Sequence, residues 1–466
     1  MDLAQDIFRE YDIRGVVSTQ LTPEVVFNIG AHLGDLVADK RVGVGYDART
    51  HAQELFMHLC HGLAHSGVEV FDLGMIPTPV AYFATFEPIE GVRLGNSIMI
   101  TGSHNPPEYN GFKITLEQKP FYGEAIQKLA QHIAQNPLPY QTSNIVPKKL
   151  NALGFYQHHL AHAFAHLQNF PYPLGLDFGN GVGGLGLEPI LCGLGVKFES
   201  LYANPDGRFP NHHPDPSQAK NLEDLKAHMQ AKGLKIGLAF DGDADRIALL
   251  TPTHTYAGDE LAILFAQDLH ARGLKPFVIG EVKCSQVMYD SINAIGQALM
   301  YKTGHSNLKV KLKETQAHFA AEMSGHLFFN DRYFGYDDAI YAALRLLELF
   351  LSHTPEQLEQ RVRALPYSYK TPEEKISVPD AQKFALVARL QHALEHKHLP
   401  SNFPHILEVI SIDGVRVVFE HGFGLVRASN TTPTLVTRFE GRDESCAQGY
   451  KDALLHLLAD LRAHPL

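Results

Sequence analysis

The chain has 466 residues, 45% apolar and 20% charged, and its 40 Lys and Arg against 51 Asp and Glu leave a net charge of −11. That length suits three or more packed domains at about 150 residues each, and the acidic balance disfavours nonspecific binding to nucleic acid or anionic membranes, so anionic ligands must be met by local cationic loops. Cys60, Cys192, Cys284 and Cys446 lie far apart, and the N-terminus MDLAQDIFREYD carries acids where an export signal has a basic start; reduced thiols and a cytoplasmic location are expected.

From the N-terminus, Thr22 to Lys40 reads as a helix that Thr22 caps and Pro23 starts, followed by apolar strand runs at Val42 to Gly45 and Val68 to Leu73. The run Ser97 to Ile100 has strand character and delivers the loop TGSHNPPEYNGFK at 101–113, where Gly102, Asn105, Pro106 and Pro107 forbid helix continuation. Ser103 is then a lone hydroxyl at a strand's end, with His104 and Lys113 on either side, and this suits a group that bears and releases phosphate. The histidines of the next helical stretch, His158, His159, His162 and His166, are expected at the surface or in packing. Leu174 to Phe178 follows as a strand.

Two apolar strands, ending at Phe240 and beginning at Ile247, bracket DGDADR at 241–246. Asp241, Asp243 and Asp245 alternate at spacing two, so their carboxylates can turn to one side and enclose a hard divalent ion, with Mg²⁺ the natural occupant. A calcium EF-hand loop would want Gly and Glu where Arg246 and Pro252 stand. A phosphatase using Asp241 as nucleophile stays open but leaves the Ser103 loop unexplained.

Phe277 to Ile279 is a further strand, and AEMSGH at 321–326 offers Glu322 and Ser324 to sugar hydroxyls. Ala339 to Leu351 is a helix too short to span a bilayer, and it contains Arg345 and Glu348, so it is expected to pack inside a domain. Strands at Val415 to Phe419, Gly424 to Val426 and Leu435 to Phe439 surround RASNTTPT at 427–434, whose guanidinium and hydroxyls suit a phosphate dianion. Boundaries are expected near Pro147 to Lys149, near Thr251 to Thr253 and in Leu365 to Glu374, the last as a hinge. The alternation of strands and helices argues for α/β layers, with ligands at the carboxyl ends of strands.

The serine loop, the triple-aspartate loop, the Glu-x-Ser-Gly-His loop and the Arg-x-Ser-Asn-Thr loop, in this order, resemble those of the α-D-phosphohexomutases. FREYDIRGVV at 8–17, GYDART at 45–50, PNHHPDP at 210–216, EVKCS at 281–285 and KTGHS at 302–306 resemble the bacterial bifunctional phosphomannomutase/phosphoglucomutase branch. The resemblance covers essentially the whole chain. It implies three related mixed-sheet α/β domains followed by a smaller α+β C-terminal domain, arranged around a central active-site cleft. Residues 1–149 would carry the phosphoserine loop, 150–252 the metal loop, 253–366 the sugar loop and 367–466 the phosphate loop.

The activity implied is reversible interconversion of hexose 1-phosphate and hexose 6-phosphate, of mannose or glucose, through a phosphoserine at Ser103 and a hexose 1,6-bisphosphate. Mg²⁺ would be bound by Ser103, Asp241, Asp243 and Asp245, with glucose 1,6-bisphosphate as activator. A phosphoserine and three carboxylates bring such a site to a charge of about −5, which gives Arg14, Lys113 and Arg246 a purpose. The resemblance places Arg14, His104, Lys113, Lys283 and His305 around the reacting oxygens, with Lys113 and His305 favoured for proton handling. It places Tyr11, Glu322, Ser324 and His326 at the sugar, and Arg427, Ser429, Asn430 and Thr431 at its remote phosphate. Ala321 stands where the family usually has Gly, so slight crowding beside Glu322 is expected. Expected partners are hexose phosphates, with no nucleic acid or membrane, and the expected state is a monomer. Phosphoglucosamine mutase, a Mg-dependent sugar phosphatase and a silent sugar-phosphate binder are the other readings.

Overall fold

The computed structural model describes residues 3–429 and 432–463. They fall into two compact units: the first takes the chain through Gly258 with Leu312–Phe319 and Ser324–Glu359, the second takes Asp259–Lys311, Ala320–Met323 and the chain from Gln360 onward.

The first unit opens with a seven-stranded sheet in the lateral order Ile13–Val16, Tyr109–Leu116, Ser97–Ile100, Arg41–Tyr46, Glu69–Met75 and Lys148–Lys149, with Lys119–Pro120 paired to Tyr109–Leu116. Arg41–Tyr46 runs parallel to both of its neighbours, whereas Tyr109–Leu116 is antiparallel to Ser97–Ile100 and to Ile13–Val16. Buried on both faces, the central strand Ser97–Ile100 reads as a continuous apolar run, as a covered parallel layer requires. Thr22 accepts a hydrogen bond from Val25 N and caps helix Pro23–Leu36. That helix stops short of the expected Lys40. Val37 is already extended, and the Lys40 ammonium folds back to donate to Gly34 O at 2.8 Å, satisfying a terminal carbonyl.

A second, five-stranded sheet has the order His254–Tyr256, Ile247–Thr251, Ile236–Phe240, Leu174–Asp177 and Phe198–Leu201, with Ile236–Phe240 parallel to Leu174–Asp177 and antiparallel to Ile247–Thr251. The turn closing that antiparallel pair is DGDADR. Helix Ala339–Ser352 in the same unit is buried over most of its length, as its apolar run implies. Its two charges are paired inside: Arg345 meets Asp331 at 2.8 Å and lies over the Phe329 ring, and its Nε lies 3.2 Å from Glu348, which also hydrogen-bonds with His166 at 2.7 Å. His166 is therefore a hydrogen-bond partner of a buried carboxylate, and His159 packs on Phe83.

In the second unit Phe277–Glu281 runs parallel to Gln297–Tyr301. The C-terminal part is a six-stranded sheet in the order Tyr369–Lys370, Thr434–Gly441, Gly422–Ala428, Val415–Phe419 and Ile406–Ile410, with Glu374–Ser377 also paired to Thr434–Gly441. All its pairings are antiparallel. Helices Asp380–Glu395 and Glu444–Ala463 join it in one apolar core. The architecture is thus three α/β segments followed by an α+β segment. The four cysteines are free, and among the described residues no helix is long and apolar enough to cross a membrane.

Candidate active site

Ser103 lies just past the strand Ser97–Ile100, 2% exposed and at φ +48°, a backbone region that a β-carbon disfavours. One guanidinium imposes this geometry. Arg49 donates from Nη1 to the carbonyls of Pro106 (2.6 Å) and Tyr109 (2.7 Å), and from Nη2 to those of Ser103 (2.9 Å) and Asn105 (2.6 Å). Asp47 accepts from the Thr101 hydroxyl at 2.7 Å, and that hydroxyl in turn accepts from Ser103 N at 2.7 Å. Arg14 reaches the same loop from the edge strand, donating to Asn105 Oδ1 at 2.7 Å while pairing with Asp12.

The Ser103 hydroxyl donates to Asp241 Oδ2 at 2.9 Å and sits 3.1 Å from His104 Nδ1. Gly242 permits this approach, because a β-carbon there would stand 2.6 Å from the Ser103 carbonyl oxygen. Asp241, Asp243 and Asp245 are all 0% exposed, and one oxygen from each lies within 4.8 Å of the others. The Lys113 ammonium is 2.6 Å from Asp243 Oδ2 and also pairs with Asp245, while the Thr78 hydroxyl donates to Asp243 Oδ2 at 2.6 Å. Asp241 Oδ1 accepts from the amides of Asp245 (3.0 Å) and Arg246 (3.1 Å). Asp243 Oδ1 is buried with no hydrogen-bond partner. Three hard oxygen donors, one of them unsatisfied in a buried place, fit a divalent cation.

The electrostatics agree. Burial, then Asp245 and Asp243, push the Asp241 carboxyl well above the usual range. Burial and Asp245 oppose ionisation of Asp243, but the charge and hydrogen bond of Lys113 and the Thr78 hydroxyl together outweigh them and hold it low; against burial, Lys113 and His326 hold Asp245 well down. Burial, then Arg246 and Arg14, depress His104 well below its ordinary value, so its imidazole is neutral. Arg246 donates from Nε to His326 Nε2 at 3.2 Å, and Ser324 Oγ lies 3.2 Å from His326 Nδ1. Tyr11 is half-buried. Asp245, His326 and Asp337 form a second close group that shares Asp245.

In the second unit the Lys283 ammonium lies 3.2 Å from Glu373; burial would lower its pKa, but Glu281 and Glu373 outweigh that and raise it. His305 opens helix His305–Thr315, directly after Gly304, whose amide donates to Glu322 Oε1 at 2.7 Å. Arg427 is 6% exposed and donates from Nε to Asp413 at 3.1 Å. The Ser429 hydroxyl accepts from Thr432 N at 3.1 Å. Asn430 and Thr431 lie outside the described residues. The first unit thus gathers Ser103, His104, Arg14, Lys113, Arg246, the three aspartates, Ser324 and His326, and the second holds Lys283, His305, Glu322, Arg427 and Ser429.

Sequence reasoning missed Arg49, Asp47 and Thr78 in the first unit and Glu281, Glu373 and Asp413 in the second. For Arg49 and Asp47 a signal was present: a carboxylate and a guanidinium two residues apart at the end of an apolar strand, inside GYDART.

Residues 5–139, 141–254 and 257–369 match the families described as phosphoglucomutase/phosphomannomutase alpha/beta/alpha domains I, II and III, and residues 373–457 match the C-terminal domain of the same enzymes. A phosphomannomutase/phosphoglucomutase of Pseudomonas aeruginosa is 41% identical over 447 residues, covering 95% of this chain and 93% of its own. A phosphoglucomutase of Neisseria meningitidis is 40% identical, covering 96% and 95%. The crystal structure of a phosphoglucomutase/phosphomannomutase family protein from Burkholderia thailandensis superposes with a TM-score of 0.87 at 36% identity, over 99% of this chain and 98% of that one.

Proposed function

Because the chain belongs to the phosphoglucomutase/phosphomannomutase family, we propose that it reversibly interconverts the 1- and 6-phosphates of mannose and glucose with Ser103 as the phosphoryl carrier. The observation that carries the role of Ser103 is its 2.9 Å hydrogen bond to Asp241 within the buried carboxylate trio. A sugar 1-phosphate must present its 6-hydroxyl to the phosphoserine while its own phosphate is held elsewhere. The resulting 1,6-bisphosphate must then turn over and return the other phosphate.

Asp241, Asp243 and Asp245, with the Ser103 phosphate, are the ligands for Mg²⁺, which when bound neutralises and orients the phosphoryl oxygens. The chain's own residues do the rest. The Arg49 grip fixes the Ser103 backbone before substrate arrives, so positioning is complete in the resting protein. Arg14, Lys113 and Arg246 supply positive charge to the transferring group, with neutral His104 beside the carrier oxygen and Lys283 at the same step. Proton handling is assigned to Lys113 and His305. Glu322, Ser324, His326 and Tyr11 meet ring hydroxyls shared by both substrate orientations. Arg427, Ser429, Asn430 and Thr431 hold the remote phosphate, whose geometry is the same at either end of the sugar. The working division into 1–149, 150–252, 253–366 and 367–466 goes with this reading, as do hexose phosphates as partners of a cytoplasmic monomer and glucose 1,6-bisphosphate as activator.

Intact-mass and peptide analysis test the carrier. One phosphate is expected on the peptide containing Ser103. Its absence after incubation with glucose 1,6-bisphosphate overturns the proposal, and phosphate release from hexose phosphates by Ser103→Ala would favour a phosphatase.

A further inference from the structure

Two carboxylates with no role above join the motif segments of the second unit. Asp413 Oδ2 accepts from Arg427 Nε at 3.1 Å and from Thr303 N at 3.0 Å, and its Oδ1 lies 3.4 Å from Arg427 Nη2. The turn that carries it is pressed against Arg427: Gly414 sits at φ +77°, and a β-carbon there would meet Arg427 Cβ at 2.4 Å. From Thr303 the chain of contacts continues. Its hydroxyl donates to Glu281 Oε2 at 2.9 Å, and the same oxygen accepts from Lys283 N at 2.7 Å. Glu281 Oε1 accepts from Met323 N at 3.4 Å, so the segments bearing Lys283, His305, Glu322 and Arg427 are wired through two acids, Glu281 being 0% exposed.

We infer that Asp413 is a positioning residue for the substrate's remote phosphate, orienting the Arg427 guanidinium and tying it through one carboxylate oxygen to the Thr303–His305 loop. This rests on the reading of Arg427 as the phosphate grip. The physical reason is preorganisation. An arginine side chain has several free torsions, and a guanidinium already held by its Nε edge loses less freedom when phosphate arrives. The shared oxygen also makes the grip and the loop preceding His305 adopt their positions together, since a shift of either lengthens a bond to the same atom.

Steady-state kinetics on glucose 1-phosphate, together with competitive inhibition by inorganic phosphate, test this in Asp413→Ala, Asp413→Asn and Arg427→Ala. Asparagine keeps an oxygen acceptor for both N–H groups; alanine keeps none. Asp413→Ala is expected to raise KM and the phosphate inhibition constant by about tenfold, the scale of one charge-assisted hydrogen bond, with a smaller fall in kcat. Asp413→Asn is expected to recover most of that loss. If Arg427→Ala raises KM and Asp413→Ala does not, the inference falls and the grip stands. If Arg427→Ala leaves KM unchanged, the grip reading falls and takes the inference with it. Equal losses in the Ala and Asn variants, or a loss confined to kcat together with a lower Tm, show a structural role and overturn it. Should Asp413→Ala fail to fold, Asp413→Ser is measured in its place against the same expectations.

Discussion

Around Ser103 stand three carboxylates of no exposure: Asp243 and Asp245 share the Lys113 ammonium, Asp243 also takes the Thr78 hydroxyl, and Asp241 takes the Ser103 hydroxyl with Arg246 3.9 Å away. In the second unit Arg427 is paired with Asp413 and Lys283 with Glu373. In the first region the three carboxylates crowd one another, one oxygen of each within 4.8 Å of the others, a set of hard donors that a divalent cation suits. In the second the carboxylates are spread over separate partners, Asp413 on Arg427 and Thr303, Glu373 on Lys283 and Glu281 on Thr303 and Lys283 N. Convergent carboxylates make a place for a cation, and dispersed ones hold cationic side chains and loops in position.

The largest effect expected is at the carrier. Ser103→Ala removes the only group proposed to take phosphate, so turnover should fall by roughly a thousandfold or more, while calorimetry finds hexose-phosphate affinity nearly intact because the Arg427 region is untouched. A large loss of affinity would mean the two regions do not divide the work in this way.

Next is Lys113→Met, which leaves buried carboxylates without their ammonium and should cost about 3–5 kcal/mol in metal-free protein, seen as a lowered Tm that added Mg²⁺ partly restores. Lys283→Met, in the second region, should show no Mg²⁺-dependent recovery; equal recovery in both variants would erase the contrast. Arg427→Ala should raise KM for both mannose and glucose phosphates by about ten- to a hundredfold, and a loss confined to one sugar would contradict a shared grip.

The smallest effect concerns an acid of the first unit that does have its own partner. His212 lies 3.1 Å from Asp177; burial lowers its pKa, but the hydrogen bonds to Asp177 and to the His213 carbonyl and the charge of Asp177 together outweigh this and raise it above 6.5. A raised folded pKa means the stabilisation is fully present below the unfolded value and is lost as pH rises through the folded one. The stability difference between the wild type and His212→Gln should therefore shrink, by less than about 1 kcal/mol, as thermal melts are taken from roughly pH 6 to pH 8, and a difference that does not change with pH would remove this pair from the comparison.

Much of this was legible along the chain. The cap at Thr22, the apolar run at Ser97 to Ile100 and the turn between Phe240 and Ile247 are local signals, carried by residues that touch their own sequence neighbours. The spacing of Asp241, Asp243 and Asp245 announces a shared face for the same reason. Helix Pro23–Leu36 shows the limit, since the fold of Lys40 back onto Gly34 decides its end and no propensity reports it.

What the sequence by itself determined is a set of chemically suited side chains, Ser103 and the three aspartates among them, and the strands that present them: side-chain chemistry and two- or three-residue periodicities survive without a fold. What only the tertiary structure decided is how those groups are held. The Arg49 grip spans 54 to 60 residues, the Lys113 pairing with Asp243 spans 130, and the tie from Asp413 to Thr303 spans 110. Partners that far apart leave no periodic trace, because the register between them is set by sheet pairing and core packing, and neither is a property of any one stretch of chain.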